Sequence, residues 1–338
     1  MTDPNPTPAA STDADVALLR NVPALYARLQ AQLAKRVIGQ EPVLRDLFIG
    51  LLAQGHCLMI GVPGLAKTLI VKTLAEAIDL DFRRIQFTPD LMPSDVTGSE
   101  IIEESTSGTR AYRFIAGPVF TQLLLADEVN RAPAKTQSAL LEAMQERHVT
   151  VAGQTRALPA PFFVLATQNP VEQEGTYPLP EAQLDRFLFC LHVGYPSAEE
   201  EVQILQTTTG GAPPPLEKIC NAAELIALQQ AVRKVHIPAS VAELAVRLVQ
   251  ATRPASASAP AAVKRCVQWG AGPRASQSLA LAAKAAAALA GRFNCSAEDI
   301  TAAAKIVLRH RLVLNYRAEA DNLTADNLVD DILKTVKR

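Results

Sequence analysis

A glycine-containing turn that ends in lysine and threonine is the first candidate for chemistry in this sequence. The stretch GVPGLAKTL runs from Gly61 to Leu69, after a short apolar segment and before a helix-like pattern. Small residues let successive backbone N–H groups surround a phosphate, and a helix N-terminus adds partial positive charge. Lys67 would then reach the β- and γ-phosphates of a nucleotide, and Thr68 would offer its hydroxyl to Mg²⁺. The alternative is a tight strand-to-helix turn with a surface lysine.

One position in this turn departs from the usual phosphate-loop pattern. Ala66 precedes the lysine, where the pattern has glycine. We expect Ala66 to join the helix with a negative φ, which alanine adopts without a backbone penalty, while Gly61 and Gly64 form the tighter curve. The turn therefore still predicts a nucleotide site. The residues that we expect around the nucleotide are Gly61, Val62, Pro63, Gly64, Leu65, Ala66, Lys67, Thr68 and Leu69.

An acidic pair follows a second apolar segment. Asp127 and Glu128 stand directly after QLLLA, which has the pattern of a buried strand. A carboxylate at the C-terminal end of a parallel strand lies at the sheet edge where ligands bind. Asp127 would hold Mg²⁺ through water, and Glu128 would orient and polarise an attacking water. Alone, such a pair would be an ordinary loop start, but together with the lysine turn it predicts a hydrolytic site.

Three further polar residues extend the candidate site. Asn169 ends an apolar segment, and its amide would hydrogen-bond the γ-phosphate and the attacking water. Arg186 precedes another apolar segment and suits a γ-phosphate, in its own or a neighbouring subunit. Arg274 opens a later helical segment and would contact the γ-phosphate from above. Taken singly, they are explained as well by an Asn-Pro turn, a salt bridge of Arg186 to Asp185 or Glu181, and a solvated first-turn arginine.

Alternating strand-like and helix-like segments would position these residues. The strand-like segments, several of them apolar throughout, are HCLMI, DFRRIQF, QLLLAD, FFVLAT and RFLFCLHV. Helix-like segments lie between them, notably KTLIVKTLAEAI and APAKTQSALLEAMQERH. This alternation predicts a parallel sheet wrapped by helices. Two inserts interrupt it: residues 95–118, rich in Gly, Ser and Thr, and residues 148–158, which alternate around Ala152-Gly153 as a β-hairpin does.

The second half of the chain lacks strand patterns. Residues 197–338 predict helices, with a capping box formed by Ser296 and Asp299. The expected helices span 222–235, 241–251, 278–290, 297–314 and 325–337. We therefore divide the chain into a tail of disordered composition (1–15), an α/β domain (16–196) and a helical domain (197–338).

Composition restricts the class of protein. The 338 residues carry a formal net charge of -1, so there is no global basic field for non-specific nucleic-acid binding. The five cysteines form no CxxC pair, which argues against a zinc site or redox dithiol and fits a reducing compartment. The five histidines show no metal-ligand spacing. The N-terminal residues lack a secretory pattern, and apolar runs are too short to span a membrane. We expect a soluble cytoplasmic protein.

Taken together, the motifs resemble those of the MoxR family of AAA+ ATPases. The resemblance is carried by GVPGLAKT, LLLADEVNRAPAKTQSALLEAMQERHVTV, LATQNPVEQEGTYPLPEAQLDRF and GAGPRAS. In that family alanine before the lysine is usual. The resemblance implies a P-loop α/β three-layer core with a parallel five-stranded sheet of order 5-1-4-3-2, plus a smaller all-α C-terminal lid domain. It implies that both inserts are hairpins facing the pore of a ring, the first of them interrupting helix 2.

The resemblance also implies roles by position. Lys67 and Thr68 would belong to Walker A, Asp127 and Glu128 to Walker B, Asn169 would be sensor 1, Arg186 the arginine finger acting on a neighbour, and Arg274 sensor 2. Val37 and Ile38 would pack near adenine, although an ordinary turn is the alternative. Arg131 is a second candidate for the finger. The implied cofactors are ATP and Mg²⁺, with Thr68 and Asp127 at the metal.

The implied function is chaperone-like ATP hydrolysis in a homo-oligomeric, commonly hexameric ring that remodels or matures partner complexes, often with a von Willebrand factor A domain protein. A nucleic-acid motor is the first alternative. The insert at residues 95–118 has three glutamates beside two arginines, and the chain has one Trp, so this surface is poorly suited to following a nucleic-acid strand. A nucleotide-gated scaffold with negligible turnover is the second. A scaffold needs neither Glu128 nor Asn169, so their presence argues against it.

Overall fold

The computed structural model describes residues 13–104, 110–171, 175–209, 211 and 214–336. The described strands, in chain order, are β1 (Cys57–Ile60), β2 (Phe82–Gln86), β3 (Gly98–Glu104), β4 (Arg110–Ala116), β5 (Leu123–Asp127), β6 (His148–Val151), β7 (Gln154–Ala157), β8 (Phe163–Gln168), β9 (Phe189–His192), β10 (Val267–Trp269) and β11 (Val313–Leu314). The helices are α1 (Asp13–Leu33), α2 (Glu41–Leu52), α3 (Lys67–Ala77), α4 (Pro93–Thr97), α5 (Ala134–Glu146), α6 (Glu181–Leu184), α7 (Ala198–Thr208), α8 (Ala222–Arg233), α9 (Ala239–Ala251), α10 (Ala261–Cys266), α11 (Pro273–Leu289), α12 (Ala297–Leu308), α13 (Tyr316–Ala320) and α14 (Ala325–Val336).

Two compact units divide the chain at other positions than we expected. One unit is Leu29–Ala222, and the other combines the residues up to Arg28 with those from Ala223 onward. The segment after residue 196 stays with the α/β unit because its backbone bonds there: the Ile219 N–H donates to the Ala77 carbonyl at 2.7 Å. Most of the predicted tail lies outside the described residues, and its last three residues already belong to α1.

A five-stranded parallel sheet forms the centre of the α/β unit. Its order is β2-β5-β8-β1-β9, which confirms the 5-1-4-3-2 order that the resemblance implied. All five residues of β5 are buried, as are the first five of β8, and in each strand the first four of these are apolar. Because all strands run the same way, the polar residues that follow them gather at one edge.

Both inserts are antiparallel hairpins, β3–β4 and β6–β7. The second turns at Ala152 and Gly153, with φ of 49° and 78°. The first follows the five-residue α4, and turns rather than a further helix lead into β5, so it does not interrupt a longer helix. The Arg156 guanidinium joins the two hairpins: it donates to Glu100 at 3.2 Å and lies 4.1 Å from the centre of the Phe114 ring.

The second unit is helical, as expected, but not all-α. The capping box before α12 is present: the Ser296 N–H donates to Asp299 Oδ2 at 2.8 Å, and the Asp299 N–H donates to Ser296 Oγ at 3.4 Å. The helix predicted for 297–314 ends at Leu308, because the chain then forms a 3₁₀ turn and β11 pairs with β10. None of the helices in the described ranges is long and apolar enough to cross a membrane.

All five cysteines are free and buried. His56 is also buried, and its ring serves the fold: Nδ1 accepts from the Val164 N–H at 2.9 Å, and Nε2 donates to the Met144 carbonyl at 3.0 Å. Burial lowers the pKa of His56 to about 4, so the ring is neutral. This confirms that the histidine is structural.

Candidate functional site

The turn between β1 and α3 is built on two left-handed residues. Gly64 has a φ of 87° and Ala66 a φ of 55°. Our expectation of a negative φ at Ala66 was therefore wrong: the turn from β1 enters α3 through a left-handed residue, and Ala66 takes that conformation at an exposed position. Gly61 has a different constraint, since a Cβ there would lie 2.9 Å from the Val193 carbonyl oxygen. Strained backbone of this kind is typical of ligand-binding loops.

Lys67 is the first residue of α3, and its ammonium lies over the turn. Nζ donates to the carbonyl of Gly61. Burial lowers the pKa of Lys67 from its ordinary value, while the carboxylates of Asp127 and Glu128 act in the opposite direction. The side chain is therefore held at the turn by one hydrogen bond and two nearby negative charges, with further N–H donors available for a phosphate.

A cavity of about 370 Å³ lies at this edge of the sheet. It is lined by Pro63, Gly64, Ala66, Lys67, Thr68, Leu69, Asp127, Glu128 and Asn169. Three motifs that are far apart in the sequence thus meet at one place, as the parallel sheet predicted. Asn169 is 5% exposed, and its Oδ1 accepts from the Val171 N–H at 3.1 Å, which holds the side chain at the end of β8.

The acidic pair is held by a threonine on the neighbouring strand. Thr167 Oγ1 donates to Asp127 Oδ1 at 2.5 Å and accepts from the Glu128 N–H at 2.9 Å. Glu128 has a φ of 54°, so the chain turns sharply between the two carboxylates. The hydroxyl of Thr167 therefore fixes Asp127 and the backbone of Glu128 in one arrangement.

Two polar residues on β2 complete the network around the acidic pair. Arg84 donates to Asp127 Oδ2 from Nη2 at 2.7 Å and from Nε at 3.0 Å. Arg84 Nη2 also donates to Gln86 Oε1 at 2.6 Å, and Gln86 Nε2 donates to Glu128 Oε2 at 2.7 Å. Sequence reasoning missed both residues. The signal was present in DFRRIQF, where Arg84 and Gln86 alternate with the buried Ile85 at the end of a strand.

The remaining predicted residues lie outside the cavity lining. In the described part of the α/β unit, the turn residues Gly61, Val62 and Leu65 do not line the cavity. The same holds for Val37 and Ile38, between α1 and α2, and for Arg186, which follows α6. Arg274 is the second residue of α11, in the other compact unit. Arg131 Nη1 donates to Glu128 Oε2 of its own chain at 3.0 Å.

The donor set suits a hard divalent cation bound together with phosphates. The Thr68 hydroxyl and the Asp127 carboxylate both line the cavity and both offer oxygen. In the described part of the chain, no cluster of three or more His, Cys, Asp or Glu could hold a metal ion without other ligands. A Mg²⁺ ion that keeps several waters and takes the rest of its ligands from a nucleotide fits such a site.

Comparison with known proteins places the chain in a family. Residues 56–189 match a family model described as ATPase family associated with various cellular activities (AAA), and residues 259–332 match one described as AAA lid domain. The chain is 46% identical over 300 residues to Chaperone MoxR1 of Mycobacterium tuberculosis, covering 89% of this chain and 78% of that protein. The chain belongs to the MoxR family of AAA+ ATPases.

Two further proteins are similar to this MoxR-family chain over most of its length. Protein MoxR of Paracoccus denitrificans is 31% identical over 308 residues, which are 86% of this chain and 89% of that protein. A crystal structure from Cytophaga hutchinsonii, assigned provisionally as an ATPase, has a TM-score of 0.87 and 42% identity, and covers 95% of this chain and 96% of that one. The family resemblance and the combination of an α/β core with a helical lid are thus confirmed.

Proposed function

We propose that this MoxR-family protein hydrolyses ATP with Mg²⁺ and uses the reaction to remodel or mature partner protein complexes. The observation that carries the proposal is the single cavity in which Lys67, Thr68, Asp127, Glu128 and Asn169 meet. A cation, a hydroxyl, two carboxylates and an amide are the groups that phosphate binding, metal binding and water activation require.

The chemistry follows from the position of each group. The turn and Lys67 would hold the β- and γ-phosphates, and Thr68 and Asp127 would hold Mg²⁺. When bound, Mg²⁺ neutralises the charge that develops on the phosphates. Glu128 would orient the attacking water and take up its proton, and the Asn169 amide would donate to the γ-phosphate. Gln86 and Arg131 each bond Glu128 Oε2, so two donors orient this carboxylate.

We further propose that the working form is a ring, commonly a hexamer, with sites shared between subunits. Arg186 would act on the γ-phosphate of a neighbour. Arg131 is the second candidate for that role, which would require it to leave Glu128 of its own chain. Arg274, in the lid, would contact the γ-phosphate and so link its presence to the position of the lid. Val37 and Ile38 would contact adenine. Loss of the γ-phosphate would remove these charge-assisted contacts and change the angle between subunits.

The chaperone role and the partners are also proposals. The name of the relative Chaperone MoxR1 supports a chaperone-like activity. A von Willebrand factor A domain protein and a client protein complex would be the partners, a nucleic acid would not, and the cytoplasm would be the location. The exposed apolar residues of the β3–β4 hairpin, among them Ile102 and Tyr112, would suit contact with a client in the pore.

The test is ATPase activity per subunit, measured against protein concentration for the wild type, Glu128→Gln and Arg186→Ala. We expect wild-type activity to rise as subunits assemble, and Arg186→Ala to be nearly inactive throughout. Glu128→Gln should bind ATP but lose turnover by about 10²-fold or more, because the amide cannot accept the proton. If Glu128→Gln hydrolyses ATP at the wild-type rate, the proposed role of Glu128 is wrong. If the wild type binds ATP but hydrolyses none at any concentration, the protein is a nucleotide-gated scaffold.

A further inference from the structure

Arg84 is the group that connects the two carboxylates of the candidate site. Its guanidinium donates two hydrogen bonds to Asp127 Oδ2, at 2.7 and 3.0 Å, and one to Gln86 Oε1, at 2.6 Å. Gln86 in turn donates to Glu128 Oε2 at 2.7 Å. Arg84, on the edge strand β2, therefore contacts Asp127, which would hold the metal. It also fixes the Gln86 amide, which orients the carboxylate of Glu128.

The contacts use the particular geometry of arginine. A guanidinium presents N–H groups in a planar fork, so it can bond Asp127 and Gln86 at the same time and in fixed directions. Once the Gln86 oxygen accepts from Arg84, the Gln86 N–H₂ must point to Glu128. The positive charge also lies beside the carboxylate that a divalent cation would approach, and two cations sharing one carboxylate repel each other.

We propose that Arg84 is a positioning residue that couples metal binding at Asp127 to the orientation of Glu128, an inference that rests on the proposed hydrolytic function. Before metal binding, Arg84 balances the charge of Asp127 and, through Gln86, holds Glu128 in place. Arg84 would hold that carboxylate less strongly with a divalent cation bound at Asp127, and the support of Glu128 through Gln86 would change with it. The side chain of Arg84 is 47% exposed, which leaves it free to respond without unfolding the sheet.

Two effects of opposite direction distinguish this role from a structural one. Removal of the Arg84 charge should strengthen metal binding, because a repelling cation is lost. The same change should slow hydrolysis, because the Gln86 amide is no longer fixed and Glu128 Oε2 then keeps the Arg131 donor but loses the fixed direction of the Gln86 donor. Simple damage to the site would weaken metal binding and turnover together.

The experiment compares wild type with Arg84→Gln and, as a matched control, Arg83→Gln. Arg83 is the neighbouring residue on the opposite face of β2, where Nη1 donates to the Gly117 carbonyl at 3.4 Å. Mn²⁺ is the probe, and free Mn²⁺ is measured by electron paramagnetic resonance without nucleotide and with ADP. The kcat and KM for ATP are measured in parallel, and circular dichroism checks the fold.

We expect Arg84→Gln to bind Mn²⁺ about threefold to tenfold more tightly, and to lower kcat at least about tenfold with little change in KM. Arg83→Gln should match the wild type. If Arg84→Gln does not fold, Arg84→Lys replaces it: it keeps the charge but not the planar fork, so we expect wild-type Mn²⁺ affinity with reduced kcat.

Unchanged turnover in folded Arg84→Gln, or turnover and Mn²⁺ affinity that fall together, would overturn the inference. A wild type that hydrolyses no ATP would refute the proposed function instead. The Mn²⁺ titrations would then still test the pairing of Arg84 with Asp127. If Arg84→Gln binds Mn²⁺ no more tightly than the wild type, the pairing does not affect metal binding and the inference is overturned.

Discussion

The left-handed conformation of Ala66 predicts that replacing it by glycine raises the free energy of unfolding, whereas the same change in a right-handed conformation would lower it. With a φ of 55°, the alanine bears the penalty of an L-residue in that region, about 1–2 kcal/mol. Ala66→Gly removes this penalty but gives the unfolded chain extra freedom, which costs about 0.4–1 kcal/mol. The difference predicts a free energy of unfolding of the α/β unit that is higher by about 0.5–1 kcal/mol. Had Ala66 been right-handed, the same change would have destabilised the protein.

Two matched variants calibrate the effect. Ala139→Gly lies inside α5, where the backbone is right-handed, and we expect a loss of about 1 kcal/mol. Gly64→Ala lies in the same turn at a φ of 87°, with no atom within 4 Å of the added Cβ. Backbone strain of about 1–2 kcal/mol, less about 0.4–1 kcal/mol for the stiffer unfolded chain, should leave a net loss of about 0.5–1 kcal/mol.

The assay must report on the α/β unit alone, because the chain has two compact units and need not unfold in one step. The single tryptophan, Trp269, lies in the other unit and cannot serve. Native-state hydrogen exchange of the amides of β5 and β8, in nucleotide-free protein, gives the opening free energy of the right region. A loss of stability in Ala66→Gly as large as that in Ala139→Gly would show that the reasoning about this turn is incorrect.

Two other predictions concern buried polar groups. His56 has a pKa of about 4 when folded and an ordinary pKa of about 6.5 when unfolded. The unfolded state binds more protons between these values, so His56 should cost at most about 3 kcal/mol of stability as the pH falls from 6.5 to 4. His56→Gln retains a donor and an acceptor and should lose this pH dependence when the opening free energy of the α/β unit is measured by hydrogen exchange at pH 7.5 and pH 5. Thr167→Val removes the hydroxyl bonded to Asp127 and the Glu128 N–H, and should cost about 1–3 kcal/mol and slow ATP turnover, whereas Thr167→Ser should retain both.

The sheet and the centre of the site could be predicted from sequence because both depend on strong local signals. β5 and β8 each begin with four apolar residues before their polar ends, and a parallel order brings those ends to one edge. Lys67, Asp127 and Asn169 each adjoin such a strand or the helix that follows one, so their meeting follows from the topology. Parallel strands place all three at one edge, and the strand order, with β5, β8 and β1 adjacent, brings them close together along it.

Other features depend on contacts that a single sequence does not display. The β10–β11 ribbon is three residues on one side and two on the other, too short for an alternating pattern to show. The division at Ala222 depends on hydrogen bonds such as that from Ile219 to Ala77, which join distant parts of the chain. The φ of Ala66 is set by the geometry of the turn and not by the preference of alanine.

Because all five thiols are buried, the rate at which each one is alkylated measures how often its surroundings open. Cys57 and Cys190 lie in the neighbouring strands β1 and β9 of the α/β unit, whereas Cys266 and Cys295 lie in the helical unit. Burial raises the pKa of Cys57, and that of Cys295 to about 11, so neither thiol is reactive while its surroundings stay closed. Each alkylation event therefore records the opening of one unit, and a nucleotide that tightens one unit before the other would slow one pair of thiols and leave the other pair unaffected.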